Sequence, residues 1–249
     1  MQLFPILEFD DNDDVFIRPE SHRTDLPKIE NLVITFFKEV VQELLDEGQI
    51  ETYLDLKGEN DYTFYKFKDD PTLLFHGGIG GPLCGGMMEE AIGLGAKNIL
   101  FCGGGGALQK MPVGHLIVIR EAIRDEGTSY HYAQPSREIS VKESIVEKIV
   151  TGLNQLEIPY VVGKTWTTDA FYRETKNRVL RRKTEGAILV EMEQASLIAI
   201  AQFRNVKYGA ICYAGDDLTN EIWDSRAWKS RKSIRSSLVS ICKELVKTL

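Results

Sequence analysis

The chain has 249 residues, 43% of them hydrophobic and 27% charged, which is the balance of an ordinary globular protein rather than a disordered one. A formal net charge of -7 speaks against a protein that tracks a phosphate backbone with clustered Lys and Arg. Four widely separated cysteines (Cys84, Cys102, Cys212 and Cys242) suggest neither a metal site nor a disulfide framework and read as small core residues of a reducing compartment.

The length suits one large α/β domain better than two equal ones. Residues 1–30 are acidic (Asp10, Asp11, Asp13, Asp14) and carry Pro5, Pro19 and Pro27, so they read as an extended arm before a domain covering 31–249. With no basic-then-apolar leader and no apolar run near ~20 residues, a cytoplasmic protein without a membrane span is expected. Leu32–Thr35 is a short apolar run, and Val40, Val41, Leu44 and Leu45 then recur at helical spacing until Gly48, which predicts a strand followed by a helix.

Tyr62–Phe67 and Thr72–Phe75 predict two strands joined at Asp69-Asp70-Pro71. Further strands are expected at 98–102, 116–120, 160–163, 188–191 and 207–213. Helices are expected near 83–94, 142–156 and 192–203. The basic cluster Arg178, Arg181, Arg182 and Lys183 reads as the solvated face of a helix. Ile234, Leu238, Ile241 and Leu245 make the C-terminal stretch an amphipathic helix. The expected fold is therefore α/β, a single domain with a twisted mixed central sheet flanked by helices.

In such sheets ligands bind beyond the carboxyl ends of strands, so the segments after those ends carry the chemistry. His76-Gly77-Gly78-Ile79-Gly80-Gly81-Pro82 follows one strand, and Gly103-Gly104-Gly105-Gly106-Ala107 follows another. Both place glycines where a backbone turns or a ligand comes close, and exposed amides there can hold an anion. Neither run has the third glycine of a dinucleotide fingerprint, which disfavours a Rossmann cofactor. A third region holds Glu191-Met192-Glu193 and Asp216-Asp217. Taken singly, these carboxylates read as a helix start and a capped turn.

Taken together, the segments resemble the nucleoside phosphorylase and nucleosidase superfamily, which includes uridine phosphorylases, hexameric purine nucleoside phosphorylases and methylthioadenosine/adenosylhomocysteine nucleosidases. Gly78-Ile79-Gly80-Gly81-Pro82 is similar to the family's Gly-Ile-Gly-Gly-Pro turn, Glu191-Met192-Glu193 to its ribose signature, and Met111-Pro112-Val113-Gly114-His115 to its Val-Gly-Asp turn with His115 for the Asp. The ordered matches run from about Leu32 to Asp217.

The resemblance implies cleavage of an N-glycosidic bond through an oxocarbenium-like ribosyl group. It implies that Glu193, Met192 and Glu191 serve the ribose, that Asp216 donates a proton to the departing base, and that Phe171, Tyr172 and Arg173 line the base. A purine-type base is expected, because the Gln by which uridine-cleaving members read a pyrimidine is absent after Arg173. Gly80, Gly103, Gly104, Gly105 and Lys38 would hold phosphate or water. The arginines that grip phosphate in phosphorylases are missing, with Phe101 in one place and Thr35-Phe36-Phe37-Lys38-Glu39 in another; the third would fall near Lys57-Gly58.

Glu39 sits where nucleosidases place a water-activating Glu, and equally reads as a first-turn helix residue. Phosphate as co-substrate and water as acceptor are therefore both carried forward, beside a catalytically silent nucleoside-binding protein. No metal or other cofactor is implied. Kinship further implies a homo-oligomer, a dimer or trimer of dimers, with Arg18 or His22 as residues that could reach a neighbour's site. The ligands implied are a nucleoside and phosphate, with no nucleic acid and no membrane.

Overall fold

The computed structural model describes residues 4–12, 14–19, 26–58, 61–227 and 231–249; His22 lies outside them. The elements run β1 (Asn31–Thr35), α1 (Lys38–Asp46), β2 (Ile50–Leu56), β3 (Tyr62–Phe67), β4 (Thr72–His76), α2 (Gly81–Gly93), β5 (Asn98–Ala107) and β6 (Leu116–Asp125) in the first half. The second half contributes β7 (Glu138–Ser140), α3 (Glu143–Gln155), β8 (Tyr160–Thr168), α4 (Lys176–Thr184), β9 (Ala187–Glu191), α5 (Gln194–Phe203), β10 (Lys207–Asp217) and α6 (Lys232–Val246). Short 3-10 turns form at Pro5–Leu7, Thr128–His131 and Phe171–Arg173. Among the described residues no helix is long and apolar enough to cross a membrane.

Among the described residues the strands form one mixed sheet of ten. Its path is β10-β6-β8-β9-β5-β1-β4-β3-β2, and β10 also pairs with β5, so five strands (β5, β10, β6, β8, β9) close into a ring while β1, β4, β3 and β2 fan out from β5. The first half of β5 lies between β1 and β10; its last two residues, Gly106 and Ala107, pair with Val190 and Leu189 of β9. β5 thus changes one neighbour midway, and the glycines mark the change.

This corrects two expectations. Gly103–Gly106 is not a turn after the strand but part of it, and none of the four has a positive φ. What they provide is absence of side chain: a Cβ on Gly105 would stand 2.5 Å from the Val190 carbonyl oxygen, and one on Gly104 2.8 Å from the Tyr213 ring. β5, β6, β8 and β10 each run four or five residues beyond their apolar runs, because pairing inside a closing ring, rather than apolarity, defines their ends.

Strand β2 escaped the apolar pattern because its exposed Glu51 and Thr52 interrupt the alternation, and a register shift between Thr52 and Leu54 accommodates them against β3. The basic cluster on α4 is only half solvated. Arg178 and Arg182, one turn apart, both turn inward to Asp125 (Nη2–Oδ2 2.7 and 3.0 Å), and Arg182 is buried. The charge of Asp125 and the Trp166 ring, whose indole donates to Asp125 at 2.9 Å, draw them in.

Gly105→Ala is expected to destabilise the protein by about 1–3 kcal/mol through overpacking at the β5–β9 contact. Gly86→Ala, on an exposed helical position of α2 with nothing within 4 Å of the new methyl, is expected to gain about 0.5–1 kcal/mol. Paired thermal or urea unfolding curves check both; equal effects at the two sites would contradict the ring-closure account.

Candidate active site

The end of β9 carries two carboxylates with different surroundings. Glu191 is the last residue of the strand and is buried. Its Oε1 accepts the hydroxyls of Thr165 (3.1 Å) and Thr167 (2.6 Å) from neighbouring β8, and its Oε2 accepts the amides of Glu193 (2.6 Å) and Gln194 (2.7 Å) at the start of α5. Four donors fill its lone pairs. The expectation that Glu191 contacts ribose is therefore corrected: it joins β8 to the positive end of α5.

Glu193 points the other way. It is 3% exposed, and its Oε1 accepts the backbone N–H of Gly80 at 2.6 Å. Gly78 and Gly80 take φ of 68° and 96°, so the His76–Pro82 loop turns as its glycines predict and swings that amide onto Glu193. The same contact commits the Gly80 amide, which the sequence had offered to phosphate or water. Burial pushes the Glu193 carboxyl well above the ordinary glutamate range, and the charge of Glu191 adds to this. Met192, between them, is partly exposed.

Asp216 lies near the end of β10, partly exposed, and its Oδ2 accepts the Trp223 indole N–H at 2.7 Å. The two carboxylate-bearing strands meet at Gly106: the position of a Cβ there is 2.9 Å from Val190 Cγ1 and 3.4 Å from Asp216 Oδ2. Among the described residues neither Glu193 nor Asp216 forms an ion pair; each accepts a neutral N–H donor. Asp217, by contrast, is held by Arg226 and by the Thr219 amide (2.7 Å), which makes it the capped turn.

After β8 the chain forms the 3-10 turn Phe171–Arg173, with Phe171 half exposed, Tyr172 and Arg173 exposed, and the two aromatic rings 4.1 Å apart. Sequence reading passed over Glu174, which ends this turn. Its carboxyl is pushed up to about 7 by burial and by the charge of Asp216, with Arg178 opposing. Only its place three residues after Phe171 could have signalled it.

The region expected to hold phosphate is built differently. Phe36 and Phe101 pack edge to face at 5.1 Å, Phe36 meets His76 at 6.3 Å, and Phe101 is buried, so aromatic rings occupy two of the places where arginines were sought. His76 shares a 3.1 Å hydrogen bond with the Phe36 carbonyl. Lys38 is exposed at the start of α1, and Lys57, beside the third place, pairs with Asp61 at 2.9 Å. Glu39 forms an ion pair with Arg235 of α6, whose Nε donates to Tyr213 Oη at 3.1 Å.

Residues 32–246 match the Phosphorylase superfamily, and the chain belongs to that superfamily. Over 142 residues it is 31% identical to a guanosine phosphorylase of Halorubrum lacusprofundi, covering 57% of this chain and 59% of that protein. Over 171 residues it is 28% identical to a uridine phosphorylase of Thermococcus kodakarensis, covering 63% of this chain and 62% of that one. The aligned stretch thus spans about three-fifths of these relatives.

A purine nucleoside phosphorylase from Toxoplasma gondii, solved in complex with immucillin-H, superposes with a TM-score of 0.73 at 17% identity over 91% of this chain and 99% of that one. An AMP nucleosidase from Bacteroides thetaiotaomicron gives 0.69 at 17% identity over 87% and 88%. At these identities the likeness concerns the fold, a single α/β domain around a mixed ten-stranded sheet.

Because the folded chain holds the Glu193 proton to higher pH than the unfolded chain does, ionising it costs stability as pH rises above the ordinary glutamate value of 4.5. Glu193→Gln, which keeps an acceptor for Gly80, is expected to raise Tm at pH 8 by about 2–4 °C, the effect of ~1 kcal/mol in a chain of this size. Melting curves from pH 5 to 8 check this, and the advantage should shrink toward pH 5. An advantage that grows on acidification would contradict the assignment.

Proposed function

We propose that this chain cleaves the N-glycosidic bond of a purine-type nucleoside and passes the ribosyl group to phosphate. The observation that carries the reading is the pair of carboxylates on strands that meet at Gly106, Glu193 beyond β9 and Asp216 on β10, with an aromatic wall from the end of β8. Glu193, backed by the Gly80 amide, accepts the ribose hydroxyls, and an anionic acceptor beside a forming oxocarbenium ion strengthens toward the transition state. Met192 packs beneath the sugar. Asp216, steadied by the Trp223 indole, delivers a proton to the departing base.

Phe171 and Tyr172 stack against that base, and Arg173 stands at the same turn. Release of free base from a nucleoside panel, followed by chromatography with and without phosphate, tests the reading. Purine nucleosides are expected to turn over only with phosphate, and absence of base from every member would reject it. Asp216→Asn should lower kcat by about 100-fold or more, the range of a lost general acid, while nucleoside still stabilises the protein.

A hydrolytic reading is favoured by one observation, the packing of Phe36 and Phe101 where guanidinium groups would grip phosphate. In that version Glu39 would activate water, although its carboxylate is engaged by Arg235. Undiminished base release in phosphate-free buffer selects this version over phosphorolysis.

A further inference from the structure

We propose that Trp223 is a positioning residue of the cleavage step: its indole N–H holds one oxygen of Asp216, leaves the other to hand a proton to the departing base, and stabilises the carboxylate that remains. This deepens the nucleoside-cleaving reading above and rests on it.

The backbone that follows β10 delivers Trp223 to this place. It turns back on itself, and Asp217 and Asp224 pair across the turn, the Asp217 N–H donating to the Asp224 carbonyl at 2.8 Å and the Asp224 N–H to the Asp217 carbonyl at 3.1 Å. Successive side chains on paired extended segments point to opposite faces, so Asp217 and Asp224 share one face while Asp216 and Trp223 share the other. Asp216 and Trp223 are then diagonal neighbours, a separation that an aromatic side chain spans. The foot of the turn is anchored from the Asp217 side. That carboxylate pairs with Arg226 and accepts the Thr219 amide at 2.7 Å, and Arg226 Nη1 donates to the Met111 carbonyl at 3.1 Å.

Trp223 takes no part in that anchoring. It is 60% exposed, and its indole N–H donates to Asp216 Oδ2 at 2.7 Å. Rings of this size are usually buried. An exposed tryptophan whose N–H is spent on a carboxylate is held for that bond rather than for packing.

Asp216 has little else to hold it. Among the described residues no other hydrogen bond or ion pair reaches it, which leaves Oδ1 open. Its charged neighbour has the wrong sign. Burial and the charge of Asp216 push the Glu174 carboxyl up to about 7, and Arg178, which opposes this, is committed to Asp125 at 2.7 Å.

When the C1′–N bond breaks, its electron pair goes to the base, the proton on Asp216 Oδ1 neutralises it, and the negative charge passes to the Asp216 carboxylate. Phosphate takes the ribosyl group, as proposed above. A carboxylate forming beside a second carboxyl needs a donor already in place, and the indole N–H is one. A cation at that position would hold a carboxylate ionised from the start; a neutral donor leaves room for the proton that has to be delivered.

The test uses substrates that differ in their need for that proton. A purine nucleoside is protonated as its base leaves, whereas the 7-methyl derivative already carries a cationic base. Inosine, guanosine and their 7-methyl forms are given, with phosphate, to the wild type and to two variants. Trp223→Phe keeps a ring without the donor; Trp223→His keeps an N–H on a five-membered ring that is neutral at pH 8.

On inosine and guanosine, Trp223→Phe is expected to lose about 10- to 100-fold in kcat, the effect of one hydrogen bond to a charged group, with KM within about threefold. Trp223→His should recover part of that loss. On the 7-methyl forms the loss should shrink to about threefold or less, because no proton is delivered. Melting temperatures should agree within about 2 °C, since the side chain is exposed and the foot of the turn is untouched. The inference is overturned if Trp223→Phe matches the wild type on inosine and guanosine, or if it loses as much on the 7-methyl forms, which would make the indole a prop of the loop. Both of those outcomes leave nucleoside cleavage standing, whereas no base release by the wild type from any of the four rejects the two readings together.

Discussion

Strand β5 must lie against β1 and β10 in its first half and against β10 and β9 in its second, and it can do so because residues 103–106 carry no side chains. A single methyl at 105 would press on a backbone carbonyl that cannot move without moving β9. The close approach closes the five-stranded ring and brings Val190 near the end of β9 and Asp216 near the end of β10 to either side of Gly106. Glycine there serves geometry of packing, not a left-handed backbone, which the loop at Gly78 and Gly80 does require.

The two glutamates at the end of β9 divide the work by virtue of their donors. Glu191 receives four hydrogen bonds from β8 and α5, which oppose but do not cancel the burial that pushes its carboxyl above the ordinary glutamate range. Glu193 is buried with the Glu191 carboxylate nearby and only the Gly80 amide to oppose them, so its proton is held tightly. A strained electrostatic arrangement of this kind persists where surrounding packing imposes it, and functional sites are where such groups collect. Glu174, buried and close to the Asp216 charge, repeats the pattern.

Charge is also redistributed around the first strand. Rings of Phe36, Phe101 and His76 pack where guanidinium groups would have stood, and the cations on that side come instead from α6, where Arg235 meets Glu39 and Arg231 lies over Tyr213.

Most element positions were legible along the chain, since Val40–Leu45, Ile234–Leu245 and Tyr62–Phe67 carry the period of the structure they form. The Glu191-Met192-Glu193 and glycine-loop motifs were legible too, and with them the superfamily. What was hidden depends on partners distant in sequence. That Gly103–Gly106 is strand, that Glu191 is saturated while Glu193 is not, and that Arg178 and Arg182 face Asp125 all follow from contacts spanning many residues. Local periodicity reports which side of an element is apolar; only the closed sheet decides which polar groups meet, because hydrogen-bond partners are chosen by three-dimensional proximity.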